Sequence, residues 1–272
     1  MKFYSQAAAL SDDDDMAVRP ARSREELHSA YSRVYWSYRR RAYIEAEASQ
    51  MQVTVFNAFP QTVTFVSLYR HKVTASITLI PDTAIGLPMD ENWQPHLDEL
   101  REQGRYPAEA TMFADRRHRD FRRVIPMLLL LMKRLFDYAA LVEGVDDICI
   151  NVSPRHRGFY ERFLPFRRFC PERNIAGDRD ERGVAMRLAI DDLDADSIDD
   201  EDLRKHFLED RTPRRELENR YRLDCSDLRH FFVDCTDTLR RADERCWQAL
   251  RRHYPGCPWD RWQEEVKKGS GG

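Results

Sequence analysis

Within Ala108–Ala114, AEATMFA, Glu109 is the one ionisable side chain among small and apolar residues. Such a segment reads as a short buried strand, and burial raises a carboxylate's pKa toward neutrality. A carboxylate poised near neutral pH is a base able to take a proton from an ammonium group. The same residue would also suit a surface ion pair at a strand end. Two positions on, Thr111 adds a hydroxyl, either a helper at the site or an ordinary strand threonine. His156 opens HRGFYERF, where an imidazole can wall a polar site or satisfy a helix start. Arg33, Tyr35, Trp36 and Arg39 share one helical segment, and a guanidinium fork there could hold a substrate carboxylate; solvated arginines are the plainer reading. Arg116, Arg117, Arg119, Arg122 and Arg123 stand against the single Asp120, a local excess of positive charge without a glycine.

The elements that must position these groups follow from periodicity. Ser23 with Glu26 forms a capping box, and Leu27, Tyr31, Val34 and Tyr38 make the apolar stripe of the first helix. Gln52–Phe56 and Thr62–Tyr69 are rich in Val, Thr and Phe and read as strands. Val73–Ile80 alternates and forms a hairpin with the strand before it. Asp82–Asp90 is a loop, and Trp93–Gly104 a short helix ended by its glycine. After the strand of Glu109 come an apolar helix over Val124–Glu143, stopped by Gly144, then a strand Asp147–Val152, a helix His156–Phe163 and a strand Val184–Ile190. This mixed order predicts an α/β (α+β) fold with helices on the faces of a sheet. Beyond Asp191 the chain turns acidic and then helical. Thr212-Pro213 reads as a helix cap, and Ser226 opens a helix whose stripe runs from Leu228 to Leu250.

Three blocks in order, YSRVYWSYRRRAYI, then LIPDTAIGLPMD with LDELREQGRYPAEATMFA, then INVSPRHRGFYERFLPF through AMRLAIDD, resemble the FeeM-type N-acyl amino acid synthases. The resemblance covers residues 23–194 and implies a GNAT-like fold related to the acyl-homoserine-lactone synthases. The sheet is then mixed and mostly antiparallel. The implied reaction moves a long fatty acyl group from an acyl carrier protein, or acyl-CoA, to the amine of an amino acid. Glu109 matches the family's strand glutamate, and backbone N–H groups of its strand would hold the oxyanion. No tightly bound cofactor or metal is implied, and the 4′-phosphopantetheine of the donor is a co-substrate. Acetyl-CoA enzymes of this fold cradle a pyrophosphate on a glycine-rich helix start. The glycine-free arginines 116–123 suit one phosphodiester and an acidic carrier surface instead. Two departures stand out. Met112 occupies the position where the lactone synthases carry an arginine, and Pro165 replaces a usual glycine. A GNAT-type enzyme with another amine acceptor, or a non-catalytic acyl-carrier or acyl-lipid binding module, are the alternatives.

Composition narrows the partners. Charged residues make up 33% of the 272, yet the net charge is only -3, which argues against a dedicated nucleic-acid binder. No apolar run approaches the roughly 20 residues of a membrane span, so a cytoplasmic protein is expected. The six cysteines form no C-x-x-C pair and read as buried thiols. The organisation expected is a leader without structure over 1–21, the acyltransferase domain over 22–194, a helical extension over 195–266 and a flexible tail over 267–272. The oligomeric state is left open.

Overall fold

The computed structural model describes residues 2–11, 13–115, 121–171, 173–174, 182–193 and 201–268. In chain order the elements are α1 (Lys2–Ser11), β1 (Met16–Pro20), α2 (Arg24–Arg40), β2 (Val63–Tyr69), β3 (Lys72–Pro81), α3 (Asp90–Glu102), β4 (Pro107–Asp115), α4 (Phe121–Tyr138), β5 (Asp147–Val152), α5 (Arg157–Phe163), β6 (Arg167–Arg168), β7 (Arg173–Asn174), β8 (Arg182–Ala189), α6 (Glu201–Arg204), α7 (Arg214–Glu218), α8 (Cys225–Arg229), α9 (Glu244–His253) and α10 (Trp259–Lys268). One mixed sheet runs β1-β2-β3-β4-β5-β8-β6, with β7 paired to β8. Every pairing is antiparallel except β4 with β5, the two strands joined by the crossover helix α4.

The hairpin between β2 and β3 turns on Arg70 and His71, at φ +48° and +63°. Positive φ at both central residues matches the right-handed twist of paired strands. On one face α4 buries Met127, Leu129, Leu131 and Leu135 completely, against Phe65, Leu79 and Leu188 of the strands. The other face is covered by α2, whose Ala30 and Tyr31 lie in a second cluster with Val66, Phe231, Trp247 and Trp262. The C-terminal helices thus complete the core on the α2 side. A third cluster joins α3 through Trp93, Leu97 and Leu100 to Ile80 and Cys149.

Several expectations change. Residues 1–21 are not a structureless leader: β1 is the sheet edge, in register Met16↔Tyr69 to Pro20↔Phe65, and Ala7 of α1 is buried in the α4 cluster. The shortness of these elements hid them, because each gains its stability from the partner it packs on. Gln52–Phe56 is not a strand. The Asn57 side chain accepts from the Thr54 N–H at 2.8 Å, so the backbone turns into a 3₁₀ segment at Val55–Ala58. Thr212 does not cap α7; its N–H and hydroxyl both donate to buried Asp137, at 2.9 and 2.6 Å. The stripe from Leu228 to Leu250 is two helices, capped separately by Asp224 and Asp243. The cysteines are not all thiols: Cys225 and Cys257 form a disulfide, while Cys149, Cys170, Cys235 and Cys246 are free. The pair lies beyond sequence inference because Cys225 opens α8 while Cys257 sits in the connection between α9 and α10.

Candidate active site

Strand β4 leaves its neighbours at two places, and both lie beside Glu109. It pairs with β5 only over Pro107–Glu109, opposite Asp147–Cys149, while β5 continues along β8 to Val152. Past Glu109 the two parallel strands therefore fork, and the β5-facing backbone groups of Ala110 to Ala114 have no strand partner. The fork is pinned from below by Asp147, fully buried, which receives the guanidinium groups of Arg105 and Arg187. On the other side Thr78 pairs with Thr111 but Ser76 with Ala114, so β4 bulges, and Met112 takes φ +56°. A bulge re-aims backbone groups out of the ladder. A non-glycine residue at positive φ is held there only by its surroundings. Met112 is held by Val34 and Ala114 in a small buried cluster, with partly buried Tyr38 packed against it, and by Asn57 Nδ2, 3.5 Å from its sulfur. At the position of the absent arginine the chain thus places an apolar plug for a kink.

Glu109 is 4% exposed, and burial pushes its carboxyl up to about 7. Two hydrogen bonds oppose that shift without cancelling it: the Met89 N–H donates to Oε2 at 2.7 Å, and the Thr111 hydroxyl is the second partner. Met89 precedes α3, so this N–H is one that the helix itself leaves unpaired. A chain of polar contacts fixes it. Arg101 binds Asp82 and Asp90 in two-pronged pairs, all at 2.8 to 2.9 Å, and Asp98 at 2.7 Å. Asp90 also accepts the Leu87 N–H at 2.7 Å, and Gly86 at φ +81° leaves no room for a Cβ, which would fall 2.1 Å from Asp90 Oδ2. This knot locks the loop Asp82–Asp90 over the carboxylate.

Tyr38, missed in the sequence because it reads as part of an apolar stripe, is the other polar group at the fork. Its phenol is buried, pushed up to about 12 by burial and by the charge of Glu109, and hydrogen-bonded to the Met112 backbone. A hydroxyl so placed keeps its proton and can donate. Arg41, at the end of α2, extends its field to Tyr38, to His156 and to Tyr160. His156 is half-buried and its pKa is lowered, first by burial and then by Arg155 and Arg41, which favours the neutral imidazole.

The other expected residues fall elsewhere. Arg33 donates to the Val73 carbonyl and ties α2 to β3. The Tyr35 hydroxyl bridges the backbone of Glu47, and Arg39 Nη1 donates to the Ile44 carbonyl at 3.0 Å, so both organise the loop after α2. Trp36 is 44% exposed and lines a polar groove with His28, Arg40 and Asp115. Arg116, Arg117 and Arg119 lie outside the described residues, and Arg122 and Arg123 open α4 without described side chains. Pro165 sits in the turn before fully buried Phe166, whose ring packs against Tyr160 at 5.9 Å. Among the described residues no group of three or more His, Cys, Asp or Glu side chains could hold a metal ion.

The fold that carries this fork is similar to that of known proteins. The family described as N-acyl amino acid synthase FeeM matches residues 29–189, more than half of the chain. The chain belongs to the FeeM family. The FeeM structure itself, an N-acyl amino acid synthase from uncultured soil microbes, superposes with a TM-score of 0.54 at 24% identity, covering 65% of this chain and 91% of that one. The AHL synthase LasI superposes at 0.51 and 17% identity, over 73% and 97% of the two chains. TofI, solved in a ternary complex with an inhibitor and MTA, gives 0.50 and 13%, over 65% and 91%. No curated protein matches the chain. The fold is similar to that of FeeM and LasI, and this FeeM-family chain is an acyltransferase. The match stops before α6, so the C-terminal helices lie outside the family's shared part.

Proposed function

We propose that this acyltransferase joins a long-chain fatty acyl group, carried as a thioester on an acyl carrier protein, to the amine of an amino acid. The observation that carries the reading is the buried Glu109 carboxyl, pushed to about 7 at the point where β4 and β5 part. An amine attacks only when neutral, so its ammonium form must first give up a proton, and Glu109 has the basicity for that task at neutral pH. The nitrogen then attacks the thioester carbon. The C–N bond forms, and the carbonyl oxygen becomes an oxyanion within reach of N–H groups that the bulge turns out of the ladder. Collapse breaks the C–S bond. The second amine proton passes to the leaving sulfur, with the Tyr38 hydroxyl as the donor at hand.

The fork itself suits the donor. A phosphopantetheine arm is an extended chain with two amides, and unpaired strand edges recognise extended amide chains by backbone hydrogen bonds. The arginines from 116 to 123 supply charge for an acidic carrier surface.

The test supplies hexadecanoyl carrier protein, and separately hexadecanoyl-CoA, with a mixture of the proteinogenic amino acids. Free thiol and new N-acyl amino acids are then measured by mass spectrometry. Thiol release matched by an N-acyl product, and lost by at least a hundredfold in Glu109→Gln, is the expected result. Thiol release at wild-type rate by Glu109→Gln removes the base from this reading. Donor binding without any thiol release by the wild type would overturn the reading altogether.

A further inference from the structure

The reaction leaves one proton over. An ammonium and a thioester give an amide, a thiol and a proton, and that proton rests on Glu109. With the Glu109 side chain 4% exposed, the next turnover waits until the proton has left. This inference rests on Glu109 being the base.

On the α2 face of the sheet, three threonines lie side by side on adjacent strands. Thr64 of β2 is the register partner of Thr78 of β3, and Thr78 is the register partner of Thr111 of β4. Direct partners share a face, and their Cβ atoms stand about 5 Å apart, a distance at which threonine hydroxyls bond across strands. The Thr64 and Thr78 hydroxyls are 3.0 Å apart, and either can donate. At one end Thr111 is bonded to Glu109. At the other end Thr64 and its partner Tyr31 line a cavity of about 140 Å³ under the C-terminal helices, together with Asn57, Thr62, Arg220 and Tyr254. The neighbours on either side of the row are apolar: Val66 and Ile80 are fully buried. A cavity with that polar lining is large enough to hold water.

We propose that the row Thr111–Thr78–Thr64 carries the released proton from Glu109 to the cavity at the joint with the C-terminal helices. Each hydroxyl accepts a proton on its oxygen and passes its own onward, directly between Thr78 and Thr64 and through one bridging water between Thr111 and Thr78. Glu109 returns to its carboxylate, the hydroxyls end with as many protons as they began with, and water in the cavity takes the one released. The cavity's guanidinium groups, Arg220 and Arg222, repel a resident cation and speed its loss to bulk solvent. On this account the C-terminal helices, which the family match does not include, roof the exit.

The experiment uses the full chain with hexadecanoyl carrier protein and the amino-acid mixture. Thr78→Val and Thr64→Val each replace a hydroxyl by a methyl of nearly equal size. Either variant is expected to lower kcat by roughly tenfold with unchanged KM for the carrier protein, and to raise the solvent deuterium isotope effect. Thr78→Ser keeps the hydroxyl and restores both. Valine variants that keep the wild-type thermal midpoint, kcat and isotope effect overturn the relay. If Thr78→Val fails to fold, Thr64→Val at the other strand gives the same reading by itself. Glu109→Gln is run in parallel. Loss of activity there with unaffected valine variants sinks the relay and leaves the base standing, whereas an active Glu109→Gln sinks the base itself.

Discussion

Glu109 ties two measurable properties to one carboxyl group. Burial lifts its pKa from the ordinary glutamate range to about 7, so between those values the folded protein holds a proton that the unfolded chain has released. Folding stability must therefore fall as pH rises from about 4.5 to about 7 and level off above. A shift of that size corresponds to at most about 3 kcal/mol. Glu109→Gln keeps an acceptor for the Met89 N–H and removes the titration. Its thermal midpoint should lose this slope and exceed the wild type's above neutral pH, read by calorimetry between pH 5 and pH 8. Over the same range the turnover of the wild type should rise, with its inflection near 7, since the ionised form is the base. A wild type and a Glu109→Gln whose midpoints move in parallel with pH would show that the carboxyl is not buried as described. Glu109 was singled out in the sequence by the family resemblance, with its place as the lone carboxylate of AEATMFA as the weaker signal. Tyr38 was not, since a tyrosine at apolar spacing reads as core until the strand that meets it is known. Arg41 was hidden in a run of arginines, where nothing marks the one whose charge reaches Tyr38 and His156.

The strands and helices of the first 194 residues were largely readable, because hydrophobic periodicity reports which face of an element is buried. What escaped is where elements depart from regularity. The bulge at Met112 has no glycine to announce it, and the fork after Glu109 depends on β5 preferring β8, a fact of pairing rather than of composition. The loop Asp82–Asp90 reads as a turn-rich connection, yet Asp82 and Asp90 are the acceptors of one arginine on α3, 19 and 11 positions away. That knot gives a prediction about the element rather than the base. Arg101→Met leaves Asp82, Asp90 and Asp98 uncompensated and frees the loop that holds the Met89 N–H on Glu109. Losing a hydrogen bond to the carboxylate, and gaining unbalanced negative charge beside it, both favour the protonated form. The inflection of turnover against pH should move up by about one unit, and Gly86→Ala should move it the same way by displacing Asp90. An inflection that stays in place while the thermal midpoint drops would make the knot a support for the loop alone.

At the scale of the molecule, the C-terminal helices are joined to the acyltransferase domain by its core and not by a linker alone. Phe231, Phe232, Trp247, Leu250 and Trp262 lie in one cluster with Val66, Leu68 and Val73 of the sheet and Met51 and Phe59 of the loop after α2. Directed bonds follow the same joint: Tyr254 to the Ala58 carbonyl at 3.0 Å, Arg24 to buried Asp227, and Arg220 to the Pro60 carbonyl at 2.7 Å. No helix among the described residues is long and apolar enough to cross a membrane. The Cys225–Cys257 bond closes a segment of 32 residues within the extension. A closed loop of that length restricts the unfolded chain by about 4 kcal/mol in the chain-entropy account. Because the extension shares a core with the sheet, that stabilisation should be felt by the whole protein. Reducing agent is expected to lower the thermal midpoint of the wild type by several degrees in a single transition, and to leave Cys225→Ser/Cys257→Ser unmoved at the lower value. Two separate transitions after reduction would mean that the extension melts alone and that the shared core does not couple it to the site. Disulfides persist where the surroundings are oxidising, so the oxidation state of this pair in cells, read by alkylation and mass shift, reports which of the two stabilities the enzyme uses.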